Sequence, residues 1–267
     1  MEDQRFFNTA GPQIPEDCYT VDPLSRFDLD DVLNLIRQKR YFVLHAPRQS
    51  GKTSCMLALR DYLNKSGDYI AVYVNVEGGQ ASRNDVDSVV KSTCDSMAER
   101  FRTILKSDTP LQIRDEVRNV GKDSMLAIYL RRMSELLPKP LVLIIDEIDA
   151  LVGDSLVSIL RQLRSGYVDR PKAFPQTVIL CGVRDVRDYR IVLSNQDIVT
   201  GGSAFNIKAE SLRLGNFSKE EIRELYNQHT NETGQEFEES CFPLVWNATE
   251  GQPWLVNAMA REATWSM

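Results

Sequence analysis

The stretch Tyr41-Phe-Val-Leu-His-Ala-Pro-Arg-Gln-Ser-Gly-Lys-Thr-Ser54 puts one ammonium and three hydroxyls directly behind an apolar run. Residues 46 to 53 fit the pattern G-x-x-x-x-G-K-[ST], with Ala46 in place of the first glycine. That spacing suits a turn whose successive backbone N–H groups point inward at phosphate oxygens, followed at once by a helix N-terminus of partial positive charge. Gly51 lets the backbone approach closely, Lys52 supplies a mobile ammonium for the terminal phosphates, and the Thr53 hydroxyl can ligate Mg²⁺. Gln49, Ser50 and Ser54 complete the candidate phosphate-binding set. Because Pro47 follows, residue 46 is pushed toward extended backbone, which alanine adopts without strain.

A metal-bound polyphosphate also needs an acid. Leu141-Val-Leu-Ile-Ile-Asp146-Glu147 is a buried-type strand that ends in two adjacent carboxylates. Asp146 is the candidate Mg²⁺ ligand, and Glu147 the candidate general base that polarises an attacking water. Val178-Ile-Leu-Cys-Gly-Val-Arg184 ends the following strand, where a guanidinium can stabilise charge developing on a γ-phosphate. Asp149 and Asp154 read as helix caps.

Positioning these groups requires strands and helices in alternation. Tyr41 to Ala46, Tyr69 to Val76, Leu141 to Asp146, Thr177 to Val183 and Phe205 to Leu214 read as strands, the first four nearly continuous in apolar residues, as buried parallel strands are. Apolar residues near a period of 3.6 fall between them, for example Val86, Val90, Met97 and Phe101. The pattern is βαβ, an α/β sheet. Residues 107 to 122, broken by Pro110 and Gly121, read as a surface excursion. Past Leu214 the strand signals stop. Ser218-Lys-Glu-Glu221 is a capping box, a second helical stretch from Glu239 is interrupted by Pro243, and a third begins near Pro253.

The ordered set Ala46-Pro-Arg-Gln-Ser-Gly-Lys-Thr53, Leu141-Val-Leu-Ile-Ile-Asp-Glu147, Cys181-Gly-Val-Arg-Asp185 and Glu250-Gly-Gln-Pro253 resembles the AAA+-related ATPases of the STAND type, the signal-transduction ATPases with numerous domains. The resemblance implies a three-layer P-loop NTPase parallel sheet over residues 1–214, followed by a small all-helical lid over 215–267. It implies ATP or ADP as ligand with Mg²⁺, Arg184 as the sensor arginine, Pro253 packing near adenine, and backbone around Tyr19 to Pro23 near the base. Related origin-recognition ATPases carry an arginine where this chain has Trp254, which favours a slow nucleotide-controlled switch over a DNA-loading machine. STAND proteins continue into a winged helix and an effector module, so a protein partner is expected, either on a longer chain or on another polypeptide. A nucleotide-dependent homo-oligomer fits the same family. No arginine finger is assigned; Arg161, Arg164 and Arg170 are the in-chain candidates, while Trp246, Trp254 and Trp265 read as core residues of the lid.

Composition narrows the alternatives. The 267 residues are 42% apolar and 26% charged, with 32 Lys+Arg against 38 Asp+Glu, the profile of a globular protein with material for a real core. The longest uninterrupted apolar run is far below the roughly 18 residues of a membrane span, and no signal sequence opens the chain, so a cytoplasmic location is expected. Five scattered cysteines and two histidines offer neither a disulfide framework nor a zinc site. The net charge of −6 disfavours a dedicated nucleic-acid binder. A DNA-transaction ATPase and a non-hydrolysing nucleotide-binding scaffold are the competing readings.

Overall fold

Aliphatic and β-branched runs that the chain cannot expose become the strands of one sheet. In the computed structural model, which describes residues 5–185, 188–194 and 196–265, β1 is Tyr41–His45, β2 Ile70–Asn75, β3 Leu141–Asp146 and β4 Thr177–Gly182. Two further strands, β5 (Arg190–Val192) and β6 (Ile198–Thr200), form a separate antiparallel pair, and β7 (Lys208–Arg213) joins the main sheet. The order is β2-β3-β4-β1-β7, and the β2–β3, β3–β4 and β1–β4 pairs are parallel. This is the α/β fold of P-loop NTPases, a parallel sheet flanked by helices.

The helices are α1 (Leu29–Arg37), α2 (Lys52–Ser66), α3 (Val86–Leu105), α4 (Thr109–Val117), α5 (Met125–Leu136), α6 (Gly153–Ser165), α7 (Gly201–Ala204), α8 (Lys219–Thr233), α9 (Cys241–Thr249) and α10 (Pro253–Trp265). Tyr41 and Val43 of β1 share one core with Met97 and Phe101 of α3, Tyr129 of α5 and Leu160 of α6. Phe42 and Leu44, which alternate with them, are fully buried too. Burial on both faces is why these strands read as unbroken apolar runs rather than alternating ones. Each aliphatic side chain so buried contributes roughly 1.5–3 kcal/mol. Among the described residues no helix is long and apolar enough to cross a membrane.

The chain divides into two compact units. One comprises Asp30–His45 and Leu59–Leu212; the other comprises Met1–Leu29, Ala46–Ala58 and Arg213–Met267. The second has its own core, in which Phe7 and Tyr19 of the N-terminal segment lie with rings 4.8 Å apart and join Tyr226, Val245 and Val256 of the C-terminal helices. Helix α8 opens with the expected capping box: Ser218 Oγ accepts from Glu221 N, and Glu221 Oε2 accepts from Ser218 N.

Four expectations from the sequence are corrected. The segment 205–214 is not one strand, because Phe205 follows α7 and β7 starts only at Lys208. The polar stretch 107–122 contains α4, which carries Pro110 in its first turn, where a missing N–H costs nothing. Pro243 likewise sits in the first turn of α9 and interrupts no helix. Asp149 and Asp154 cap nothing: the N-cap of α6 is Val152, Asp149 Oδ1 accepts from Val183 N at 3.1 Å, and Asp154 accepts from Asn84 and Ser194.

Gly251 is fixed by geometry. Its φ is +75°, its carbonyl accepts from Phe217 N at 2.8 Å, and a Cβ there would lie 2.0 Å from the Phe217 carbonyl oxygen. Gly251→Ala is expected to cost more than the 1–3 kcal/mol or so of a left-handed backbone alone, seen as a lowered urea midpoint; an unchanged midpoint would contradict this packing.

Candidate functional site

The loop that follows β1 in the chain is built for close backbone approach to a ligand. Gly51 has φ +84° and Gln49 φ +61°, so two of its residues occupy the left-handed region that turns amides inward. Ser50, 2% exposed, braces the turn by donating from Oγ to the Pro47 carbonyl at 2.8 Å. Lys52 opens α2 and is 5% exposed; its Nζ donates to the Ala46 and Pro47 carbonyls, both at 3.1 Å. These are neutral acceptors, and among the described residues Lys52 has no ion pair. A buried ammonium held only by carbonyls at a helix N-terminus fits an anionic ligand. Thr53 stands half-buried in the first turn of the same helix.

Beside the loop, within the same unit, lies a cavity of about 260 Å³. Gln49, Gly51 and Ser54 line it from the loop, Tyr19, Thr20, Val21 and Pro23 from the N-terminal segment, and Pro253, Trp254 and Asn257 from the start of α10. Ser54 Oγ is engaged by the backbone N–H of Gln13 at 3.0 Å, so this hydroxyl serves the N-terminal segment. Gln252 donates from Nε2 to the Gln49 carbonyl at 3.2 Å, tying the Glu250-Gly-Gln-Pro253 segment to the loop. Trp254 departs from the expected core role: its Nε1 donates to the Thr9 carbonyl at 2.8 Å and its ring lines the cavity. Trp246 does pack against the core of this unit, and the Trp265 side chain lies outside the described residues.

Arg26 escaped the sequence reading. Its guanidinium lies 4.5 Å from the Phe217 ring centre, donates to the Gly215 carbonyl, and makes long contacts of 3.4 Å to the Ser50 carbonyl. Burial pulls it below the usual arginine range. Cys55 borders the same cavity, and burial pushes its thiol up to about 12, with nearby Arg26 opposing the rise; it is a protonated, inert wall rather than a nucleophile. No motif marks Arg26, which is a lone arginine in Pro23-Leu-Ser-Arg26.

The other unit carries the acid pair and the strand-end arginine. Register places Asn75 opposite Asp146 and His45 opposite Gly182, so β1, β2, β3 and β4 finish along one edge of the sheet, where α/β folds bind ligands. Asp146 is fully buried, its Oδ2 accepting from the Tyr73 hydroxyl at 2.7 Å and its Oδ1 from Glu147 N at 2.9 Å. Glu147, half-buried, has φ +57°, and its carbonyl accepts from Ala150 N at 2.9 Å. A glutamate in this conformation is strained, and strain of this kind gathers at functional sites. Arg184 lies two residues past β4 and is exposed. Arg161 and Arg164 are exposed on α6, whereas Arg170 is occupied over the Tyr167 ring. Among the described residues no three His, Cys, Asp or Glu side chains cluster as a metal cage. That suits Mg²⁺, which is usually held by one or two carboxylates together with substrate phosphates.

A sequence model of the AAA-like domain matches residues 28–264. The chain belongs to this family. The AAA-like domain also has structural relatives. The Walker-type ATPase of Pyrococcus abyssi superposes with a TM-score of 0.63 at 17% identity, covering 96% of this chain and 70% of that one. Cdc6p of Pyrobaculum aerophilum gives 0.53 at 17% identity, covering 91% and 61%. The ORC2 protein of Aeropyrum pernix, solved as ADPNP and ADP complexes, gives 0.52 at 13% identity, covering 87% and 58%. A comparison with curated proteins gives no match. At these identities the structural likeness establishes the fold.

Proposed function

We propose that this AAA-like domain binds ATP with Mg²⁺, hydrolyses it slowly, and acts as a nucleotide-controlled conformational switch of the STAND type. The observation that carries the reading is the buried Lys52 ammonium in a left-handed turn at a helix N-terminus, bonded among the described residues to the neutral Ala46 and Pro47 carbonyls. Family membership and the ADPNP and ADP complexes of the Aeropyrum relative support a nucleotide as the anion. Residues 1–214 would form the nucleotide-binding domain and 215–267 the lid.

Lys52 and the amides of Gln49 to Ser54 would hold the phosphates, with Pro253 beside the adenine. Thr53 and Asp146 would hold Mg²⁺, which when bound offsets the charge of the phosphate oxygens. Glu147 takes a proton from water as that oxygen attacks the γ-phosphorus in line; the bond to the β-bridging oxygen breaks, leaving ADP and phosphate. Arg184 would stabilise the charge developing on the γ-phosphoryl oxygens. Turnover is slow because Trp254 stands where a lid arginine would otherwise contribute. The switch reading draws on two contacts within one unit, Gln252 to Gln49 and Arg26 to Gly215, through which the loop and the lid-entry segment sense one another. The output would be read by a protein partner or effector module, or by a second copy in a nucleotide-dependent oligomer.

Titration of the chain with ATP and ADP, alongside phosphate release measured with and without duplex DNA, tests the reading. Tight ATP binding with slow release that DNA leaves unchanged is expected. Strong, salt-sensitive stimulation by DNA would favour a DNA-transaction ATPase, and binding without release would favour a scaffold.

A further inference from the structure

We infer that Tyr73 is a positioning residue for magnesium, fixing the Asp146 carboxylate through the hydrogen bond from its hydroxyl to Oδ2. This rests on the reading that Asp146 carries the metal. Tyr73 lies opposite Ile144 in the β2–β3 register, and Asp146 is two residues beyond Ile144. Side chains two apart on a strand share a face, so the tyrosine and the aspartate are diagonal neighbours, a separation that an aromatic side chain can span.

The strand around Tyr73 is otherwise apolar until its end. Its sequence is Ile70-Ala-Val-Tyr-Val-Asn75, and Tyr73 is 7% exposed. A phenylalanine would fill the same space, and a buried hydroxyl is costly unless bonded. Here it donates to a fully buried carboxylate at 2.7 Å, while the Glu147 amide donates to the other oxygen at 2.9 Å. A donor on each oxygen pins the carboxylate plane and so fixes the directions in which its oxygens face a metal. Mg²⁺ tolerates little departure from octahedral geometry, so a pinned oxygen favours it more than a freely turning one. The nucleotide itself is outside this interaction.

Tyr73→Phe keeps the ring and removes only the donor. In the 267-residue chain, with ATP affinity measured at a series of Mg²⁺ concentrations, the Mg²⁺ midpoint of the metal-dependent gain in affinity is expected to rise about tenfold or more. ATP affinity in EDTA should stay near wild type and the melting temperature in EDTA should fall by no more than the several degrees of one lost hydrogen bond, which separates positioning from a loss of core packing. Tyr73→His, which returns an N–H donor, should hold the midpoint within about threefold of wild type, and either variant that folds decides the matter. Asp146→Asn is the reference. If it leaves the Mg²⁺ dependence intact, the metal assignment itself fails. If it removes the dependence while folded Tyr73→Phe keeps a wild-type midpoint, or Tyr73→His matches Tyr73→Phe, the role of Tyr73 is overturned.

Discussion

Lys52→Ala is expected to weaken ATP binding at least about 100-fold while the chain stays folded. In the free protein the ammonium spends its charge on two neutral carbonyls, those of Ala46 and Pro47. Exchanging them for phosphate oxygens makes charge-assisted bonds worth roughly 1.5–3 kcal/mol each. Two such bonds correspond to roughly 10²–10⁴ in Kd. The fold should survive, because the Pro47 carbonyl keeps the Ser50 hydroxyl at 2.8 Å and only the Ala46 carbonyl loses a partner, a cost near 1 kcal/mol. Lys52→Arg should not rescue binding, since a planar fork on a longer side chain does not fit a slot shaped for a compact ammonium. Calorimetric titration with ATP in EDTA isolates this effect from the metal. A Kd within threefold of wild type would mean that the loop does not hold phosphate.

The parts of this molecule legible in the sequence are those where a local rule and the tertiary environment agree. β1 to β4 announce themselves because they are buried and nearly continuous in apolar residues, with polar ones only at their ends. The capping box of α8 and the proline that opens α10 are likewise local. Proline misled elsewhere: Pro110 and Pro243 suggest breaks, yet each occupies a first helical turn, and only the start of the helix tells the two situations apart. Asp149 and Asp154 suggest caps from proximity to α6, but their acceptors are taken by a neighbouring strand end and by the Asn84 and Ser194 side chains. The motif groups Lys52, Asp146 and Glu147 could be named because phosphate and metal chemistry constrain their spacing. Arg26, Trp254 and Tyr73 could not, since each acts across tens or hundreds of residues of chain: Trp254 reaches Thr9, and Tyr73 reaches Asp146.

Glu147→Gln is expected to keep ATP affinity within a few-fold of wild type and to lower single-turnover phosphate release by about 10²–10⁴, the range of a lost general base. The substitution is nearly isosteric, and the contacts that set this residue's backbone are main-chain ones: its N–H to Asp146 Oδ1 and its carbonyl from Ala150 N. What disappears is the capacity to accept a proton from water. A structural role predicts something different, namely a loss of stability or of binding together with activity. Glu147→Gly separates the two further. With φ at +57°, glycine relieves a strain of roughly 1 kcal/mol, so this variant is expected to melt at or above the wild-type temperature and to be as inactive as the glutamine variant. Stability and turnover moving in opposite directions at one position identify a residue held under strain for chemistry, whereas wild-type release rates in either variant would remove Glu147 from the reaction.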